Sequence, residues 1–138
     1  PLYFLTDERL GWERHFVGPL AAFRTTINTK LWAYLGSNYV LAMRLEVVAA
    51  ALGVGFTIWA IARRQYGYAT FMALTMAALM TSSWYYSVPR ALLTLFPIPL
   101  MLASWTERGQ HRHDALLVAF TAVAAFGVVA FATSAWFF

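Results

Sequence analysis

The sequence predicts an all-α, polytopic transmembrane helix bundle that is preceded by an external amphipathic interfacial segment. Three features of composition carry this prediction: 61% of the 138 residues are hydrophobic, 17% are aromatic and only 12% are charged. A soluble domain has about 25% charged residues, and a domain of this length buries too little surface to hide so much apolar material. The length corresponds to a single domain.

The bundle is assigned to residues 45–138, and about four spans are predicted in it, because roughly 20 apolar residues cross the hydrocarbon core of a membrane. The predicted spans cover about residues 45–62, 67–86, 89–105 and 115–138. Gly53 and Gly55 lie in the middle of the first span. Small residues at such positions allow another helix to approach closely.

Two details of these spans make further predictions. The third span contains Pro97 and Pro99, so it must bend, and neighbouring groups must satisfy the freed carbonyls. Glu46 lies near the outer edge of the first span and close to Arg44. An acid at that depth is expected to be a paired boundary residue rather than part of a proton relay.

Residues 1–44 form the predicted external segment, which contains five of the ten cations and three of the six acids. Leu5, Trp12, Phe16 and Leu20 recur at roughly helical spacing. This pattern favours a helix in the plane of the membrane interface, or a re-entrant element packed on the bundle. The chain begins at Pro1 without a recognisable signal peptide, so we expect it to be the C-terminal part of a longer protein.

Loop charges predict the orientation. Residues 63–65 contain two arginines, and residues 107–114 contain two more together with two histidines. Both connections lie on one side if every span crosses, and the positive-inside rule makes that side cytoplasmic. Residues 84–90 then face outward. The prediction is a multi-pass protein of the bacterial plasma membrane with an outward-facing site.

Several classes of site are excluded or disfavoured. There is no cysteine, which excludes disulfides, thiolate metal sites and cysteine nucleophiles. The basic residues are scattered, which argues against a nucleic-acid partner. His111, His113 and Asp114 could bind a metal, but Arg112 beside them opposes a cation, so a solvated loop is expected. No metal site and no cofactor are predicted; a divalent cation stays open, but nothing in the sequence indicates one.

The sharpest candidate site is the run S-V-P-R-A-L-L-T-L-F-P at residues 87–97. It places Arg90 at the outer end of the bent span, and a guanidinium group has a fork of donors that matches phosphate. The hydroxyls of Ser87 and Tyr86 could complete a phosphate or sugar site. The alternative is an arginine that snorkels to a lipid headgroup.

This S-x-P-R-x-x-L-x-x-F-P run resembles the C-terminal signature of the PIG-V type of membrane mannosyltransferases, relatives of the second mannosyltransferase of GPI-anchor assembly. The run F-L-T-D-E-R-L-G-W-E-R at residues 4–14 looks like the external W-x-R segment of the same family. Asp7 or Glu8 stands where a glutamine is more usual. The resemblance covers Phe4–Arg14 and Ser87–Pro97, with hydropathy alone between them.

The resemblance implies a GT-C architecture. Such enzymes transfer a sugar, usually mannose, from a polyprenyl-phosphate donor to a glycolipid or glycan acceptor on the non-cytoplasmic face. Arg90 would hold the carrier phosphate, and Trp12 and Arg14 would shape the entrance. The catalytic carboxylate is expected upstream of Pro1, with Asp7 and Glu8 as candidates inside the chain.

Two other classes stay open. A proline break near mid-membrane is also typical of the discontinuous helices of transporters, so a transporter fragment is one alternative. The other is a structural subunit of a larger membrane complex, in which Arg90 and the aromatic residues bind membrane lipids.

Overall fold

The computed structural model describes residues 15–107 and 109–132, and within these ranges it confirms the all-α prediction. The elements are α1 (Pro19–Ile27), α2 (Thr29–Trp32), a 3₁₀ turn (Ala33–Leu35), α3 (Ser37–Ala62), α4 (Tyr66–Met80), α5 (Val88–Thr94), α6 (Pro97–Thr106) and α7 (Gln110–Ala132). The β-structure in the described residues is one isolated bridge.

Two of these helices are long and apolar enough to cross a membrane, over Tyr39–Ala62 in α3 and Gln110–Val129 in α7. Helices α5 and α6 together form a pair bent by 69°, which makes a third crossing if it is counted as one span. Helix α4 is apolar but has only 15 residues. The described residues therefore contain two or three membrane-length helices, where the sequence predicted about four spans.

The boundaries differ from the prediction at two places. Helix α3 begins at Ser37 and runs through Arg44 rather than starting near residue 45. Gly36, with a φ of 108°, precedes it in a conformation that favours glycine. Helix α4 ends at Met80 rather than near residue 86, because residues 81–83 pair with a distant segment of the chain instead of continuing the helix.

The predicted bend in the third span is confirmed. The chain leaves α5 at Leu95 and starts α6 at Pro97. Proline has no backbone N–H and a fixed φ, so it is suited to the first turn of a helix but interrupts one that is already running. The break therefore lies immediately before Pro97.

Helix α3 is the centre of the core, with α4 and α5 packed on it. Most of the buried core residues are small alanines or flexible methionines, which allow close approach of the helices. The core consists of Ala22 of α1, Ala49, Ala50 and Ala60 of α3, Ala69, Met72 and Met76 of α4, Tyr85 of the following loop, Val88 of α5, Leu95 after it, and Ile98 and Met101 of α6. The predicted close approach is confirmed at Gly53, which lies against Met76 and Leu92, whereas Gly55 has nothing within 4 Å of an added Cβ.

Helix α7 lies largely apart from this core. None of its membrane-length window is buried, and large apolar residues such as Val118 and Val123 are exposed. Near its start the guanidinium carbon of Arg112 lies 5.5 Å from the ring centroid of Trp105 in α6. A long helix that is apolar all round suits contact with lipid or with other membrane helices.

Candidate functional site

The candidate site is built around the α4–α5 loop (residues 81–87), and the residues before α1 hold one side of it. The Val17 N–H donates to the Thr81 carbonyl at 2.8 Å. The His15 N–H donates to Ser83 Oγ at 2.9 Å, and the Ser83 hydroxyl contacts the His15 carbonyl at 3.2 Å. His15 and Ser83 are 68 positions apart in the sequence, and their bonds, together with the Val17–Thr81 bond, fix the first half of the loop.

Helix α1 and Trp32 hold the second half of the loop. The buried Thr26 hydroxyl accepts a hydrogen bond from the Tyr85 N–H at 2.8 Å and donates one to the Ala22 carbonyl at 2.8 Å. Trp32 donates its indole N–H to the Thr26 carbonyl and packs edge-on against Trp84, with ring centroids 5.7 Å apart. Burial raises the pKa of the Tyr85 phenol above its ordinary value, because the phenolate would lose its hydration.

The carboxylate of Glu46 fixes the end of the loop. Glu46 is only 4% exposed; its Oε1 accepts a hydrogen bond from the Ser87 N–H at 2.8 Å, and its Oε2 accepts one from the Val88 N–H at 2.7 Å. A carboxylate at a helix N-terminus also interacts favourably with the helix dipole. Glu46 is therefore paired, as expected for an acid at that depth, and two of its partners are backbone amides at the start of α5.

Ser87 has an unusual backbone conformation at this point, with a φ of 58° and a ψ of 24°. A non-glycine residue in the left-handed region is at a disadvantage of about 1 kcal/mol. Its side chain does not cap α5; the capping acceptor comes instead from Glu46 on α3. The turn into α5 is thus held by a residue of α3 and not by its own side chains.

Arg90 lies on the exposed face of α5. Val88 and Leu95 of this region are buried in the core, whereas Leu93, one turn after Arg90, is 80% exposed. No described residue forms an ion pair with Arg90. The arrangement presents a guanidinium group beside an exposed apolar side chain, on a helix whose start is fixed.

The structure brings together three of the residues that the sequence predicts for the site. Tyr86 and Ser87 end the loop, and Arg90 lies in the first turns of α5. Both Tyr86 and Ser87 are half-buried. The remaining predicted site residues, Asp7, Glu8, Trp12 and Arg14, lie outside the described residues.

Sequence reasoning found Glu46 but not its function, and it did not find Thr26. The signal for Glu46 was an acid within an apolar run, which is rare and usually compensated. Two of its partners are main-chain N–H groups 41 and 42 positions away, and every residue except proline supplies such a group. Thr26 gave no signal, because threonine is common on helix surfaces and its partner is again a backbone amide.

The histidines near the start of α7 do not form a metal-binding cluster. Asp114 accepts a hydrogen bond from Gln110 at 2.9 Å and lies 3.5 Å from His113 Nδ1, and both side chains of the His113–Asp114 pair are more than half exposed. Within residues 15–107 and 109–132, no group of three His, Cys, Asp or Glu residues is arranged to hold a metal.

Comparison of the chain with protein-family models, with curated proteins and with solved structures finds no match. The features of the chain that bear on its function are therefore the α4–α5 loop, Glu46, Arg90 and the motifs of the sequence.

Proposed function

We propose that this chain is the C-terminal membrane portion of a glycosyltransferase. The enzyme moves a sugar, mannose by the resemblance, from a polyprenyl-phosphate donor to a glycolipid or glycan acceptor. The observation that carries the proposal is the placement of Arg90: an exposed guanidinium group on a short helix whose first amides are held by the buried Glu46.

The surroundings of Arg90 suit a phosphate that is attached to a hydrocarbon chain. Its planar fork of N–H donors matches two phosphate oxygens. Leu93 exposes an apolar side chain one turn away, and α5 with α6 forms an apolar broken pair. A polyprenyl phosphate would need both kinds of contact, with the charge at the cation and the prenyl chain along the apolar surface.

The proposed chemistry is an inverting transfer. An acceptor hydroxyl attacks C1 of the sugar, the new C–O bond forms as the bond from C1 to the phosphate oxygen breaks, and the lipid phosphate leaves. A carboxylate takes the hydroxyl proton; the resemblance places this base upstream of Pro1, with Asp7 and Glu8 as candidates within the chain. Arg90 stabilises the negative charge on the leaving phosphate.

The orientation belongs to the same proposal: a multi-pass protein of the bacterial plasma membrane, with Arg90 on the outward side. The arginines of the opposite connections pair with aromatic rings, as is common at membrane interfaces. The guanidinium carbon of Arg63 lies 6.0 Å from the ring centroid of Trp59 at the end of α3. Arg112 makes the similar contact with Trp105.

The test is transfer activity of the full-length protein in membrane vesicles, with radiolabelled mannosyl polyprenyl phosphate as donor. We expect Arg90→Ala to lower the rate by about 10²- to 10³-fold, the usual cost of losing one charge-stabilising donor. Arg90→Lys should retain part of the activity, because it keeps the charge but not the fork. Arg44→Ala removes another exposed cation and should leave the rate unchanged. Full activity in a folded Arg90→Ala protein would contradict the proposal.

The broken pair of α5 and α6 also favours one second candidate, a transporter fragment, since discontinuous helices form transporter binding sites. Flux of a lipid-linked or free sugar into liposomes, without chemical transfer, would support that function. Binding of the polyprenyl phosphate without either transfer or flux would instead indicate a lipid-binding subunit of a larger membrane complex.

A further inference from the structure

We propose that Glu46 is a positioning residue for Arg90. Its buried carboxylate fixes the start of α5 and thereby the place at which the guanidinium group meets the donor phosphate. The inference rests on the proposed function for its ligand, but the anchoring of α5 by Glu46 can be measured separately.

Glu46 binds the start of α5 through both oxygens of its carboxylate. Each carboxylate oxygen accepts a different amide hydrogen, Oε1 from Ser87 and Oε2 from Val88, at 2.8 Å and 2.7 Å. Charge-assisted bonds of this length are about twice as strong as neutral ones. Two attachments to consecutive residues fix the direction of the chain as well as its position.

The position of Arg90 depends on how the start of α5 is held, because the helix is short. Helix α5 has only seven residues, far fewer than an isolated helix needs to be stable. Arg90 follows Val88 by two positions, so the amide that the carboxylate binds and the cation lie within the same turn of α5. Further along α5, Leu92 packs against Gly53. Without the carboxylate, the buried Val88 and the packing of Leu92 would still hold α5 against the core. The Ser87 and Val88 amides, which set the orientation of the first turn, would lose their acceptor.

Both the charge and the length of the Glu46 side chain matter for these two bonds. Glutamine at position 46 would have nearly the same shape, but it has one carbonyl oxygen, and its NH₂ group would face an amide donor. Aspartate keeps the charge but is shorter by one methylene, so it would reach the two amides less well. The bond to the Ser87 N–H also holds Ser87 in its left-handed backbone conformation.

The anchoring is tested by distance measurement between spin labels. The chain contains no cysteine, so Asn28→Cys on the exposed end of α1 and Leu93→Cys on the exposed face of α5 label two defined sites. A second label pair, Asn28→Cys with the exposed Arg90→Cys, reports on the first turn of α5 directly. We expect one narrow distance distribution for this pair in the parent and a broad or shifted one in Glu46→Gln. Glu107→Gln removes an exposed acid at the end of α6 and should change nothing. An unchanged distribution in Glu46→Gln would overturn the inference.

Glu46→Asp serves as the second variant in case Glu46→Gln does not accumulate in the membrane. It retains the buried charge and the acceptor pair, and we expect a smaller change of the same kind. A distribution as narrow as that of the parent, in a folded Glu46→Asp protein whose donor affinity is also unchanged, would count against positioning by Glu46.

The link to the donor is tested by a double-mutant cycle on the affinity for a labelled polyprenyl phosphate. We expect Glu46→Gln to raise the Kd about tenfold, a change of ~1.4 kcal/mol, and to have no further effect in an Arg90→Ala background. If Glu46 served stability alone, the effects of the two substitutions on the free energy of binding would be independent and additive. That result would overturn the inference.

The two proposals fail in different ways in this cycle. If Arg90→Ala leaves the affinity unchanged, the proposed function is wrong, whatever the spin labels show for Glu46. If Arg90→Ala weakens binding while Glu46→Gln has no effect on it, the proposed function survives and the positioning role of Glu46 is wrong.

Discussion

The packing at Gly53 gives a quantitative prediction about the bundle. A Cβ added to Gly53 would lie 2.5 Å from Met76 Sδ, 2.8 Å from Met76 Cε and 2.9 Å from Leu92 Cδ2. A Cβ added to Gly55, on the same helix, would meet nothing within 4 Å. Gly53→Ala therefore forces Met76 and Leu92 to move, whereas Gly55→Ala does not.

The expected free energies follow from two opposing effects. Alanine is favoured over glycine inside a helix by about 1 kcal/mol. Overpacking a core costs about 1 to 3 kcal/mol, and Met76 is buried, so its flexible thioether moves only by displacing neighbours. We expect Gly53→Ala to destabilise the fold by about 1 kcal/mol and Gly55→Ala to stabilise it by up to ~1 kcal/mol.

The assay is unfolding by sodium dodecyl sulfate in mixed micelles, followed by tryptophan fluorescence. The control is the double variant Gly53→Ala, Met76→Ala, which lacks the thioether that the new Cβ would meet. Gly53→Ala should therefore cost much less free energy of unfolding in this background than in the parent. Equal stabilities of Gly53→Ala and Gly55→Ala would refute the reasoning, since they would mean that the Met76 side chain moves aside at no cost.

Two further predictions concern the α4–α5 loop. Thr26→Val should destabilise the fold by about 1 to 3 kcal/mol in the same assay, because it leaves the buried Tyr85 N–H without its acceptor. The control Thr25→Val removes only a local bond to Ala21 and should have little effect. Equal losses of stability in the two variants would contradict this prediction. Burial raises the folded-state pKa of Tyr85 above its ordinary value of 10.0. The stability that the neutral, buried phenol contributes is therefore complete below pH 10.0, and it is lost as the pH rises through the folded-state pKa. Tyr85→Phe should abolish that part of the alkaline loss, as measured by unfolding and by tyrosinate absorbance; an unchanged alkaline profile would exclude Tyr85 as its source.

The features of the fold that could be predicted from the sequence depend on local physics. An apolar run of sufficient length predicts a membrane helix wherever it occurs, as in α3 and α7. A proline within such a run predicts a break, as before Pro97. These features need no knowledge of what the helix packs against.

The end of α4 could not be predicted because it depends on a distant segment. Residues 81–86 read T-S-S-W-Y-Y, and their aromatic residues continue the apolar character of the helix. The structure ends the helix at Met80 because Thr81 and Ser83 bond with Val17 and His15. Nothing in the local pattern of either segment indicates the other.

The candidate site likewise has residues that the sequence predicts and contacts that it does not. Tyr86, Ser87 and Arg90 lie together because they are neighbours in the sequence, and a motif was enough to find them. The contacts that fix them come from Thr26 and Glu46, and both act on main-chain amides. Sequence patterns of side chains do not record such partners.

The pairing of Glu46 with amides has a consequence for the charge of the site. A carboxylate buried in a membrane helix needs compensation, which an arginine can supply through strong charge-assisted hydrogen bonds. Arg90 is exposed and forms no ion pair with a described residue, and the partners of Glu46 include the Ser87 and Val88 amides. An arginine neutralised by a carboxylate would bind phosphate weakly, because the anion would have to displace it. By using the Ser87 and Val88 amides for Glu46, the fold keeps the guanidinium group of Arg90 available to an anionic ligand.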